Sequence, residues 1–201
     1  LSGNGASFCA GGDIEAMAKR LDLPAGEVAI KGWKRHQEIQ RVITLIHNMP
    51  KPVIAAVNGP AFGLGADLAL ACDFIIGSAN ALFCWSYIDR AVIPDGGGMY
   101  FLPRRVGMSL AKDLIFSGRR IKSEEAMEMG VIDRYSEPSD LLENAERWAN
   151  TFRGTAKPAF MLSKCIVNKS LESSLEDIFA QSNMALGICL SSLEHRTSVE
   201  N

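Results

Sequence analysis

The sequence predicts an α/β fold that ends in an all-helical C-terminal region, and three observations carry that prediction. Val53 to Val57 is an uncharged run rich in β-branched residues, short enough for one buried strand. Asn58-Gly59-Pro60 interrupts it, because Gly admits backbone angles closed to other residues and Pro removes a donor. Beyond Gly65, Leu68, Ala69 and Cys72 fall on helical spacing. Past Pro138 no strand pattern remains. Apolar stripes such as Leu141, Ala145 and Trp148, or Ile178, Gln181, Ala185 and Ile188, predict helices over 139–152, 158–170 and 175–193. The expected division is a strand-bearing core over 1–137 and a helical region over 138–201, whose wide apolar faces suit packing or oligomerisation.

Each remaining element has its own local warrant. Leu1-Ser2-Gly3-Asn4-Gly5 reads as the end of a strand entering a loop, and a further segment is expected to precede it. Ala10, Gly11 and Gly12 let a ligand approach the backbone closely, and Asp13 can hold that turn by accepting backbone hydrogen bonds. Residues 21–32 read as a mobile polar insertion around Pro24 and Gly26, followed by a helix from Trp33 to Asn48 with Ile39, Val42, Ile43 and Ile46 on one face. His36 and His47 on that helix are read as surface or packing residues. Phe74-Ile75-Ile76 is a second buried strand, and Ala81 to Tyr87 is apolar and aromatic. Val92 to Met99 forms a third glycine-rich turn that opens a helix; taken alone, its Asp95 is a turn former or cap. That helix ends at Gly107. Ser109 is expected to cap the next, which stops at Gly118; Ser123 caps another ending at Gly130, and Val131-Ile132 is a short strand.

Composition narrows the function classes. With 201 residues and 47% hydrophobic content the chain has ample core, and 22% charged residues argues against disorder. A net charge of −2 without a basic cluster speaks against nucleic acid. Uncharged runs such as Pro52 to Ala66 are shorter than the roughly 18 residues of a membrane span. The five cysteines (Cys9, Cys72, Cys84, Cys165, Cys189) form no C-x-x-C pair and are expected to be buried free thiols. The three histidines show no zinc-ligand spacing with them, so no metal is expected and a reducing, cytoplasmic setting fits.

The chemistry centres on the strand–loop–helix passage. A helix opening after a glycine loop leaves N–H groups and partial positive charge facing whatever sits there, with Asp67 in the first turn beside them. An ordinary turn satisfies this pattern. A dinucleotide fingerprint does not, since Leu68 occupies the third glycine position of G-x-G-x-x-G and no ribose-binding acid follows about 20 residues on. An oxyanion hole remains open and needs a second N–H donor from elsewhere.

Taken together, four stretches are more specific than any one of them. They are Phe8-Cys-Ala-Gly-Gly-Asp-Ile14, Lys51-Pro-Val-Ile-Ala-Ala-Val-Asn-Gly59, Gly63-Leu-Gly-Ala-Asp67-Leu-Ala-Leu-Ala-Cys-Asp73, and Ile93-Pro-Asp-Gly-Gly-Gly98 with Leu102-Pro-Arg104. In this order and spacing they resemble the crotonase (enoyl-CoA hydratase/isomerase) superfamily over nearly the whole chain. The resemblance implies a spiral of β-β-α turns followed by a helical trimerisation region, assembled as a homotrimer or dimer of trimers. It implies an acyl-CoA thioester substrate, with coenzyme A part of the substrate, no separate cofactor, and no nucleic-acid or membrane partner. The thioester carbonyl would sit between the backbone N–H groups of Gly12 and Leu64, two preorganised donors for the enolate formed when a proton leaves Cα. Ala10 and Ile14 would lie near the CoA adenine. Trp85 and Tyr87 would contribute to an apolar acyl pocket.

The acid–base residues depart from the hydratase pattern. The first of the two glutamates in hydratases aligns with Asp67 and the second with Tyr87, which cannot act as a carboxylate base. Asp95 instead supplies a carboxylate at the Pro-Asp-Gly position, as in isomerases of the superfamily. The expected function is therefore double-bond movement. Asp95, partly desolvated, removes a proton, and Asp95 or Asp67 returns it at another carbon. Hydration of a 2-enoyl-CoA and a non-catalytic acyl-CoA-binding trimer are the alternatives.

Overall fold

A computed structural model describes residues Leu1–Glu200. In chain order, α1 (Ile14–Ala18) and α2 (Ala25–His47) precede β1 (Ile54–Val57), β2 (Pro60–Phe62), α3 (Leu64–Leu70), β3 (Phe74–Ser78) and β4 (Leu82–Cys84). Next come α4 (Gly98–Val106), α5 (Met108–Ser117), β5 (Arg120–Lys122), α6 (Ser123–Glu128), β6 (Arg134–Ser136) and α7 (Leu141–Asn150). The chain finishes with α8 (Lys157–Lys169), α9 (Leu175–Leu190) and α10 (Leu193–Glu200).

The strands form two three-stranded sheets, in the orders β1-β3-β6 and β2-β4-β5. β1 runs parallel to β3, with Ile54 opposite Phe74 and Val57 opposite Gly77. β2 runs parallel to β4, and β4 antiparallel to β5. From β1 to β4 successive strands thus alternate between sheets, and a helix follows each pair: β1-β2-α3, then β3-β4 and α4. This is the β-β-α spiral. Isolated bridges from Ser2 to Ala56 and from Cys9 to Ala61 lay the N-terminal segment against both sheets.

That alternation explains the Asn58-Gly59-Pro60 break. The chain leaves one sheet there and enters the other, so Pro60 starts a short strand where a loop was expected. A Cβ at Gly59 would overlap the Ala6 carbonyl, which is why the crossing uses glycine. Pro60 has no N–H to give, yet its carbonyl accepts from both Phe8 and Cys9 N–H at 3.1 Å.

Contacts divide the chain into two compact units. The first comprises Leu1–His47 and Val53–Ala149. Its core is built from Ala55, Val57, Ile75, Phe83, Leu102, Leu114 and Ile121, all fully buried. Each large side chain among them contributes about 1.5–3 kcal/mol by leaving water. α7 belongs to this unit: Trp148 packs on Phe74 with centroids 4.9 Å apart, beneath the Arg134 guanidinium at 3.9 Å.

The second unit joins Asn48–Pro52 to the residues from Asn150 on. α8 packs on α9, and Lys164 Nζ donates to the Lys51 carbonyl at 3.2 Å. Ser174 and Asp177 form a reciprocal cap at the start of α9. None of its three helices holds a buried residue, and Phe179, Met184, Ile188 and Leu193 are exposed.

Several local expectations are corrected. Residues 25–32, read as a polar insertion, are the first two turns of α2, and Glu27 pairs with Lys31 four residues on at 2.8 Å. Gly107, not Ser109, is the N-cap of α5, and Lys122, not Ser123, that of α6. Val131 and Ile132 are buried outside any strand, and β6 follows them. The helix expected over 175–193 ends at Leu190, because the Ser192 hydroxyl accepts from His195 N–H at 3.1 Å and starts α10. Cys72 and Cys84 are buried, but Cys165 is exposed and Cys9 and Cys189 are half-buried. Among the described residues, no helix is long and apolar enough to cross a membrane.

Candidate active site

The site begins where the Cys9–Asp13 loop lies along β2 and the start of α3. Phe62 N–H donates to the Cys9 carbonyl at 3.0 Å, and the Cys9 carbonyl also crowds Gly65. Gly11 has φ +92°, open to glycine and strained for other residues. A Cβ there would stand 2.6 Å from the Phe62 carbonyl oxygen and 3.7 Å from the Leu64 nitrogen. The glycine loop and the opening of α3 are therefore pressed together, which brings Gly11 beside the Leu64 nitrogen. Leu64 begins α3 after Gly63 (φ +51°), so its N–H has no acceptor within the helix. Asp13 accepts from Ala16 N–H at 3.0 Å and starts α1. Ala10 and Ile14 lie exposed at this rim.

Asp67 sits in the first turn of α3 with 0% exposure. Trp85 Nε1–H donates to its Oδ1 at 3.1 Å, while the Tyr87 hydroxyl (2.6 Å) and Gly96 N–H (3.2 Å) donate to Oδ2. Burial raises its pKa to about 6 against the lowering effect of its donors, with the charge of Asp95 adding to the rise. Small residues are required around it: a Cβ at Gly98 would collide with the carboxylate.

Tyr87 follows β4, and its ring passes close to Gly63, where an added Cβ would lie 3.8 Å from Cζ. Burial, then the carboxylates of Asp67 and Asp95, push the phenol pKa upward. Tyr87 is therefore a proton-bearing donor between two acids. Trp85, expected to line the acyl pocket, has no exposed surface. It stacks beside Phe83 and serves as a donor to Asp67.

Asp95 lies in the turn before α4 and keeps 22% of its side chain in solvent. Its Oδ2 stands 3.0 Å from His36 Nε2, and Gln40 Nε2 donates to its backbone carbonyl at 3.4 Å. The structure thus gathers Leu64, Asp67, Tyr87 and Asp95 into one neighbourhood, with Gly12 next in chain to the Gly11 that approaches Leu64, and adds His36, which sequence reasoning had set aside. Nothing local signals the pairing, since the two partners lie 59 positions apart in the chain. Among the described residues, no group of three or more His, Cys, Asp or Glu side chains is placed to hold a metal.

Comparison with known proteins gives a consistent result. The family model for enoyl-CoA hydratase/isomerase matches residues 1–201. A short-chain-enoyl-CoA hydratase of Clostridium acetobutylicum is 35% identical over 193 residues, covering 96% of this chain and 71% of that protein. A crotonyl-CoA hydratase of Syntrophomonas wolfei is 33% identical over 197 residues, covering 98% and 73% respectively. The crystal structure of an enoyl-CoA hydratase from Bacillus anthracis superposes with a TM-score of 0.89 at 30% identity, covering all of this chain and 75% of that one. The motif order, the β-β-α spiral and these matches agree: the chain belongs to the enoyl-CoA hydratase/isomerase family of the crotonase superfamily.

Proposed function

We propose that this protein acts on acyl-CoA thioesters by stabilising a thioester enolate, with Asp95 as the side chain that moves the proton. The thioester oxygen is held by the N–H groups of Gly12 and Leu64, and Ala10 and Ile14 flank the CoA adenine. The observation that carries this reading is the contrast between the two acids: Asp67 is sealed and engaged by three protein donors, whereas Asp95 remains partly open. Asp67 then acts as the anchor for Tyr87 and the Gly96 turn rather than sharing the proton transfer. The second unit's exposed apolar helices supply the surface for a homotrimer or dimer of trimers.

Of the possible reactions, hydration of a 2-enoyl-CoA is the better supported, because the Clostridium and Syntrophomonas relatives are named as hydratases. This reverses the order of preference drawn from sequence. In that reaction Asp95 takes a proton from water as the oxygen bonds to C3. Charge moves onto the thioester oxygen, and the proton is returned at C2. Double-bond movement is the second reading, favoured by the single open carboxylate, which can remove a proton at one carbon and return it at another. Turnover of 2-enoyl- and 3-enoyl-CoA in heavy-oxygen water and in deuterium oxide separates the two. Heavy oxygen in a 3-hydroxyacyl-CoA product is the expected result. Carbon-bound deuterium with a shifted double bond and no added oxygen overturns hydration in favour of isomerisation.

A further inference from the structure

We propose that His36 is a positioning residue for Asp95, and that with Gln40 it forms a clasp by which α2 sets the orientation of that carboxylate. The inference rests on the reading of Asp95 as the proton-moving group. His36 and Gln40 are one helical turn apart, and they hold the carboxylate and the backbone carbonyl of the same residue, at 3.0 and 3.4 Å. The stripe continues along α2. Ile43, the only buried residue of the helix, approaches Gly97, where a Cβ would lie 3.6 Å from its Cγ2. His47 then packs against Phe101 of α4, with ring centroids 5.1 Å apart. Positions 36, 40, 43 and 47 recur at the spacing of one helical face. That face is what fastens α2 to the Asp95–Gly97 turn and α4. Most of the remainder of α2 is exposed, including Trp33 and Leu45.

A carboxylate held at two points on its own residue has fewer orientations to lose when substrate arrives. Other groups close around the pair. Arg35 on α2 lies 3.5 Å from His36 Nε2, while Tyr87 and Asp67 face Asp95 from the opposite side. The two acids repel each other, and His36 stands beside the more open one.

The test uses the full chain and the enoyl-CoA substrate found active in the isotope experiment. The variants are H36Q, H36L and D95N, and kcat and KM are recorded for each. His36 is 41% exposed in its side chain, so both His36 variants are expected to melt as the parent does. H36L should lose about tenfold or more in kcat with little change in KM. H36Q keeps a donor and should recover most of that loss. Wild-type kcat in both variants, an H36Q that loses as much as H36L, or a change confined to KM, overturns the clasp. If D95N itself keeps wild-type turnover, the base assignment fails first and takes this inference with it. An inactive D95N beside indifferent His36 variants removes the clasp alone.

Discussion

Asp67 and Asp95 both flank the Tyr87 phenol, yet they are held by opposite means. Asp67 has no exposed surface and accepts from an indole, a phenol and a backbone amide, so its carboxylate is satisfied without substrate. Asp95 has an exposed edge and one imidazole partner from a helix that is itself mostly in solvent. On the proposed function the two acids divide the labour: one fixes the shape of the site, while the other stays available for chemistry. The difference comes from the elements that carry them. Asp67 lies inside a helix that faces the core, and Asp95 lies in a turn at the rim.

The largest expected effect is on rate. Asp95→Asn should lower kcat by about a thousandfold while urea unfolding stays close to wild type. If unfolding shifts instead and turnover survives, the division of labour is reversed. Asp67→Ala should do the opposite. It leaves three buried donors without an acceptor and should cost about 3–4 kcal/mol in the unfolding free energy. An Asp67→Asn protein that unfolds normally but has lost turnover would place Asp67 in the chemistry and break the contrast.

A pH titration of stability sharpens it further. The folded-state pKa of Asp67 is raised to about 6 from 3.8, so folding favours its protonated form. Its contribution is complete below the unfolded value and is lost as pH rises through the folded one. Across that window unfolding free energy should fall by up to about 3 kcal/mol from this group alone. The slope should vanish in Asp67→Asn; a slope that persists there assigns it to another group. The smallest effect is expected for Tyr87→Phe. It removes one hydrogen bond to Asp67 and should destabilise by about 1 kcal/mol. Removing that donor should also move the Asp67 window to higher pH.

Much of this was legible in the residues. Val53–Val57 announced a buried strand because an uncharged β-branched run has few other stable uses. Asp67 was placed in the first turn of its helix because the glycines before it end the strand and start that helix. The role of Trp85 was not legible. An aromatic residue in an apolar stretch reads as a pocket wall or as core, and only the fold shows its N–H aimed at Asp67. The pairing of His36 with Asp95 was not legible for a similar reason. A lone histidine on a helix has no sequence mark of the loop it will face, and residues 25–32 looked too polar to extend that helix. Most of that stretch is exposed, with Val28 and Gly32 half-buried, and Glu27 pairs with Lys31 on it.

By itself the sequence determined the family, the buried strands β1 and β3 and most of the helices, and the chemical types brought to the site. These follow from local periodicity, glycine and proline placement, and motif order, all of which act over a few residues. Tertiary structure alone decided which acid is sealed, which is open, and what stands behind each. Burial and hydrogen-bond partnership depend on segments far apart in the chain. Asp67 meets its three donors 18 to 29 positions away, and Asp95 meets His36 across a still longer span, only once the sheets have packed.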